Sequence, residues 1–201
     1  MKQELLIGCG NNRAKKLRHP DDPEEWSDLT TMDRDPDCNP DALWDLDVTP
    51  WCAQLMDRSL PLPENHFDEV HAYEVLEHIG QQGDWKAFFR HFGEIYRVLK
   101  PDGCLFATCP SWNSLWTWGD PSHTRVVSSG SIVFLDQKRY HEQVGVTAMS
   151  DFRHTWKGDF EIMHSEDDGE SHRFMLKAKK PAREFESRSH RQYAISGTLD
   201  A

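Results

Sequence analysis

The chain is poor in cysteine. Its 201 residues include five, Cys9, Cys38, Cys52, Cys104 and Cys109, an odd number with no C-x-x-C pair. That excludes a disulfide framework and gives no zinc-site spacing, so reduced thiols in a cytoplasmic protein are expected. Long apolar runs are also missing. No stretch approaches the ~20 residues that a bilayer requires, and no apolar signal-peptide core follows Met1. Positive charge is scarce: 23 Lys and Arg stand against 34 Asp and Glu, for a formal charge of −11. A broad phosphate-tracking surface is thereby excluded, and long DNA with it. A short RNA end remains open.

What the sequence does contain is an alternation of strands and helices. Glu4 to Ile7 is an apolar run that breaks at Gly8-Cys9-Gly10, as a buried strand entering a glycine turn does. Arg13 to Arg18 has the length for one or two helical turns before Pro20 and Pro23. Leu29 to Met32, Ala42 to Trp44, Phe67 to Tyr73 and Cys104 to Cys109 are further strands. Asp84 to Leu99 is the strongest helix, because Trp85, Phe88, Phe89, Phe92, Ile95, Tyr96 and Leu99 recur at spacings of three and four. Phe160 to His164 and Arg173 to Ala178 alternate around Asp167-Asp168-Gly169, the pattern of a hairpin. The expected architecture is α/β, a mostly parallel sheet closed by an antiparallel hairpin. One domain is expected over 1–180, with a flexible tail over 181–201.

In such sheets ligands gather at the carboxyl ends of the strands. Gly8-Cys9-Gly10, Asp33, Asp45 and Tyr73-Glu74 all fall there. Asp33 follows Gly10 by 23 residues at the next strand end, a spacing suited to a carboxylate that accepts from ribose hydroxyls. The dinucleotide fingerprint wants a glycine where Arg13 stands, which disfavours a nicotinamide cofactor.

Four segments resemble the motifs of class I S-adenosylmethionine-dependent methyltransferases. They are Leu5-Leu6-Ile7-Gly8-Cys9-Gly10, the Asp45-Leu46 stretch followed by Pro61-Leu62-Pro63, Phe67 to Ile79 with its Val75-Leu76-Glu77-His78-Ile79, and Arg97-Val98-Leu99-Lys100-Pro101-Asp102-Gly103. The resemblance implies a Rossmann-like, seven-stranded fold and S-adenosylmethionine as cofactor. It implies that Gly8, Cys9 and Gly10 border the methionine portion, that Asp33 binds the ribose, that Asp45 and Leu46 border the adenine, and that Glu74 lies near the sulfonium. Two positions depart from the family pattern: Leu6 replaces an acidic residue, and Asn12 replaces a glycine.

Glu74, Glu77 and His78 form E-x-x-E-H. On a helical turn, positions i, i+3 and i+4 share a face. Some O-methyltransferases that the chain resembles bind a divalent metal through this pattern, completed by a distant histidine. Here that implies Glu74, Glu77, His78 and His123 as ligands of Mg²⁺, with His78 and His123 as catalytic groups. Trp112, Trp116 and Trp118 lie in 111–145, the expected acceptor pocket or lid. The expected acceptor is a small molecule methylated on oxygen. A cofactor-binding module without catalysis and a 2′-O-methyltransferase of RNA ends are the alternatives.

Overall fold

The computed structural model describes residues 1–55 and 58–185. Its centre is a seven-stranded sheet of order β3-β2-β1-β6-β7-β9-β8. The strands are β1 (Gln3–Ile7), β2 (Asp28–Asp33), β3 (Ala42–Leu43), β6 (Phe67–Tyr73), β7 (Leu99–Pro110), β8 (Phe160–Asp167) and β9 (Ser171–Ala178). Pairing is parallel from β3 through β7 and antiparallel at β7–β9 and β8–β9. The strand order reverses between β1 and β6, and both strands end at the same edge as Asp33. A small hairpin of β4 (Cys52–Leu55) and β5 (Arg58–Pro61) was not legible in the sequence.

Helix α1 (Trp85–Val98) begins where Asp84 caps it, its carboxylate accepting from Ala87 N at 2.9 Å. Phe89, Phe92, Ile95 and Val98 are buried against one face of the sheet, beside Leu5, Ile7, Val70 and Leu105. Each such side chain contributes about 1.5–3 kcal/mol on burial, which makes this face the main core.

The opposite face is built differently. The expected turns at Arg13 to Arg18 are absent, and 13–19 has no regular structure. This segment covers a strip of polar side chains that alternate with the core residues of β1 and β6. Lys15, 1 % exposed at its side chain, is held by Glu4 and lies 3.5 Å from Glu69 Oε2. Glu69 Oε2 is also 3.1 Å from His71 Nε2, and His71 Nδ1 is 2.7 Å from the Tyr73 hydroxyl. That hydroxyl accepts from Leu17 N and donates to Leu17 O. A helix packs by an apolar stripe; here the strand face offers carboxylates and an imidazole, so an irregular segment that brings Lys15 and backbone groups satisfies it instead.

The expected tail lies mainly in 186–201, outside the described residues. Its first part is anchored: Arg183 donates to both oxygens of buried Asp159 and to Asp136.

Candidate functional site

A cavity of about 270 Å³ opens at the carboxyl edge of β1, β2 and β6. Gly8, Gly10, Asp33, Asp45, Leu46 and Glu74 line it, together with His78 and Ser122. The sequence thus separated in the chain what the sheet brings together. Cys9 does not join them: it is buried away from the cavity against Leu6 and Tyr73.

The two glycines do different work. Gly8 has φ +58°, and a Cβ there would sit 2.3 Å from Val75 Cγ2. Its missing side chain lets the start of the β6 loop pack against the turn. A Cβ on Gly10 would meet nothing within 4 Å, so this glycine keeps the mouth of the cavity open. Gly10 N donates to Asp33 Oδ2 at 2.9 Å, and Asp35 N donates to Asp33 Oδ1 at 3.0 Å. Arg13, at the position that disfavoured the dinucleotide fingerprint, donates instead to the carbonyls of Cys38 and Asn39. Asp33, Asp45, Asp47 and Glu74 surround the cavity against Arg34 alone, which suits a cationic ligand.

Leu6, at the family's acidic position, is 1 % exposed and packs with Cys9 and Tyr73. It points away from the cavity's polar rim.

Behind Glu74 the chain makes a single short 3₁₀ turn over Leu76–His78. Glu74 precedes it with φ +55° and is exposed, so Glu74 does not share a helical face with Glu77 and His78. The structure instead joins Glu77, His78 and His123, whose ligand atoms lie within 4.8 Å of one another. The Nε2 atoms of both histidines are 4.0 Å from Glu77 Oε1, and the two rings are 4.7 Å apart. His78 Nδ1 is 3.1 Å from the Ser122 carbonyl. A carbonyl only accepts, so Nδ1 carries a proton, and in the neutral ring Nε2 keeps its lone pair. Glu77 is 2 % exposed and neither of its carboxyl oxygens makes a hydrogen bond of normal geometry, the Cys109 thiol being its polar neighbour; His123 Nδ1 is likewise buried and unpartnered. Burial, aided by the nearby charge of Glu74, pushes the Glu77 carboxyl up to about 8.

The segment 111–145 reaches the cavity through Ser122. Its tryptophans do not: Trp112, Trp116 and Trp118 are 58–72 % exposed, and none lines this cavity. The functional contribution missed from the sequence is that of Ser122, whose backbone carbonyl orients His78; a backbone group leaves no residue-type signal.

No helix among the described residues is long and apolar enough to cross a membrane.

Residues 5–107 match the family model described as a methyltransferase domain. No curated protein matches the chain significantly. A solved S-adenosylmethionine-dependent methyltransferase from Archaeoglobus fulgidus is 14% identical, with a TM-score of 0.53 over 88% of this chain and 86% of its own. A chain of the complex containing the Haloferax volcanii Trm112 methyltransferase activator is 12% identical, with a TM-score of 0.54 over 91% of this chain and 84% of its own. At such identities the likeness to these two is one of fold. The matched family model spans half the chain, and the seven-stranded sheet with its glycine turn, acid and cavity at one edge agrees with it. The chain belongs to the class I S-adenosylmethionine-dependent methyltransferases.

Proposed function

We propose that this methyltransferase modifies an oxygen of a small-molecule acceptor, and that Glu77, His78 and His123 serve the acceptor's hydroxyl. The observation that carries the reading is Glu77: a buried carboxyl group with no hydrogen bond of normal geometry, converging with two imidazoles beside the cavity. A buried carboxyl group so poorly satisfied is costly, and such a group is retained where chemistry uses it.

The cofactor residues fit S-adenosylmethionine, which supplies an electrophilic methyl group on a cationic sulfonium. Gly10 gives open backbone, Asp33 is fixed by two amide donors and keeps free lone pairs for ribose hydroxyls, and the acidic rim complements the positive charge. The chain's own task is then orientation and proton handling. A hydroxyl acceptor must lose its proton, and the lone pair on His78 Nε2 is placed to take it. The same acidic rim disfavours a phosphate-rich acceptor, which supports a small molecule over an RNA end.

A divalent ion fits the same three side chains. Glu77, His78 and His123 would hold it, the His78 Nε2 lone pair then serving as ligand instead of base, and it would supply Lewis-acid polarisation of the acceptor oxygen. His78 already has the backbone-carbonyl partner typical of a metal-ligating histidine. Two imidazoles with one carboxylate suit Mn²⁺, Fe²⁺ or Zn²⁺ better than the oxygen-seeking Mg²⁺.

The test is transfer of a labelled methyl group from S-adenosylmethionine to pooled metabolites, with RNA as a parallel acceptor. Incorporation into a small molecule through an acid-stable, base-stable ether supports the reading; incorporation only into amines, only into RNA, or none at all contradicts it. Leu6 favours the second reading, a cofactor-binding module without turnover, whose signature would be tight binding and no transfer.

A further inference from the structure

A second cavity of about 220 Å³ lies beside the first, on the far side of residues 78–82. Trp85, Phe88 and Phe89 from the start of α1, with Phe134 and Phe152 from the segments that follow β7, form its aromatic wall. The rings pack edge to face and tilted: Trp85 and Phe152 are 5.2 Å apart, Phe89 and Phe152 5.4 Å, and Phe134 and Phe152 5.7 Å. Such walls select flat apolar bodies.

Arg125 lines the same cavity and is 7 % exposed. Its Nη2 donates to the carbonyls of Gln81 and Asp84, and its guanidinium stands 5.5 Å over the Phe88 ring. No carboxylate among the described residues comes within 4.0 Å of it. The nearest acids are otherwise engaged: Asp84 caps α1 through Ala87 N, and Asp47 accepts from Gly80 N. A guanidinium has five donors, and only Nη2 is used by described residues. Asp84 and Asp47 still act on the guanidinium's charge, but neither touches it, and a buried guanidinium is best completed by an anion that takes its spare donors. Among the described residues, Arg125 is therefore a fixed, charged fork with spare donors at the edge of an aromatic wall.

We propose that this cavity binds a small planar aromatic carboxylate, its ring lying against the wall of Trp85, Phe89, Phe134 and Phe152 and its carboxylate on Arg125. The volume is below the roughly 300–1,000 Å³ of drug-sized sites, which limits the ligand to one ring or two fused rings. The site does not depend on methyl transfer, since the methyl donor's cavity and this one share no lining residue.

The test is calorimetric titration of the full chain, without S-adenosylmethionine, using 2-naphthoate, benzoate and the neutral 2-naphthamide. We expect 2-naphthoate to bind at least tenfold more tightly than 2-naphthamide, and Arg125→Gln to abolish that preference. Because Arg125 also supports two backbone carbonyls, Phe134→Ala provides the second variant: it keeps the charge and is expected to weaken 2-naphthoate and 2-naphthamide alike. Equal affinity for the acid and the amide, or binding of neither by folded wild-type protein at millimolar concentration, overturns the proposal. Because no cofactor is present, either result is separate from the success or failure of the methyl-transfer reading.

Discussion

The backbone amide of Gly10 donates to Asp33 Oδ2 at 2.9 Å, so the glycine turn after β1 and the acid that ends β2 are one hydrogen-bonded unit. Replacing Asp33 therefore removes the carboxylate proposed for the ribose and also releases two amide donors, those of Gly10 and Asp35. Asp33→Ala is expected to weaken S-adenosylmethionine binding at least tenfold and to lower stability by about 1–3 kcal/mol. Calorimetry and urea denaturation of the same preparation check the two parts.

Gly8 and Val75 set the second expectation. Alanine at position 8 meets Val75 Cγ2 and must adopt φ +58°. Gly8→Ala should cost roughly 1–3 kcal/mol in denaturation midpoints. The double variant Gly8→Ala, Val75→Ala should relieve only part of the clash, since the Cβ of residue 75 stays 2.7 Å from the added atom, and none of the backbone strain, giving a coupling energy of about 0.5 kcal/mol or more in a double-mutant cycle. Strict additivity would show that the contact is unimportant.

The cluster of Glu77, His78 and His123 predicts a thermal shift with divalent ions. Mn²⁺ or Zn²⁺ at tenfold excess should raise the melting temperature of wild-type protein more than Mg²⁺ does, through mass action on the folded state. Glu77→Ala and His123→Ala should each remove the shift. A shift that survives both variants places the ion elsewhere.

His91 predicts an acid-dependent loss of stability. It is buried in α1, 3.2 Å from Asp47 Oδ1, with the charges of Arg125, Arg90 and Asp84 around it. Burial outweighs Asp47 and holds its imidazole down to about 4, against about 6.5 in an unfolded chain. The unfolded chain therefore takes up this proton first. The contribution is complete above pH 6.5 and is lost as the pH falls towards 4, by up to roughly 3 kcal/mol. His91→Gln should flatten the stability curve in that window; buried His71 and His172, also held low, leave a residual slope.

The seven strands of the main sheet and α1 were legible because their side chains are periodic and their ends carry turn chemistry. The lining of the cavity was legible because Gly8, Gly10, Asp33, Asp45, Leu46 and Glu74 each end or follow a strand. The absent turns at Arg13 to Arg18 were not legible, since nothing local reveals that Glu4, Glu69 and His71 need Lys15 above them. The spacing of Glu74, Glu77 and His78 suggested one helical face, but the left-handed φ of Glu74 moves it out of the cluster and to the rim of the cavity. Trp112, Trp116 and Trp118 resembled a pocket wall by composition, yet are exposed. The aromatic wall is supplied instead by residues up to 67 positions apart in the chain, Trp85 to Phe152, a grouping that only the folded sheet creates.

The most direct test of the central claim is calorimetric titration of wild-type protein with S-adenosylmethionine and S-adenosylhomocysteine, with NAD as control. One-to-one binding of both adenosyl compounds, none of NAD, and loss of binding in Asp33→Ala is the predicted result. Failure of folded protein to bind either adenosyl compound would contradict the account.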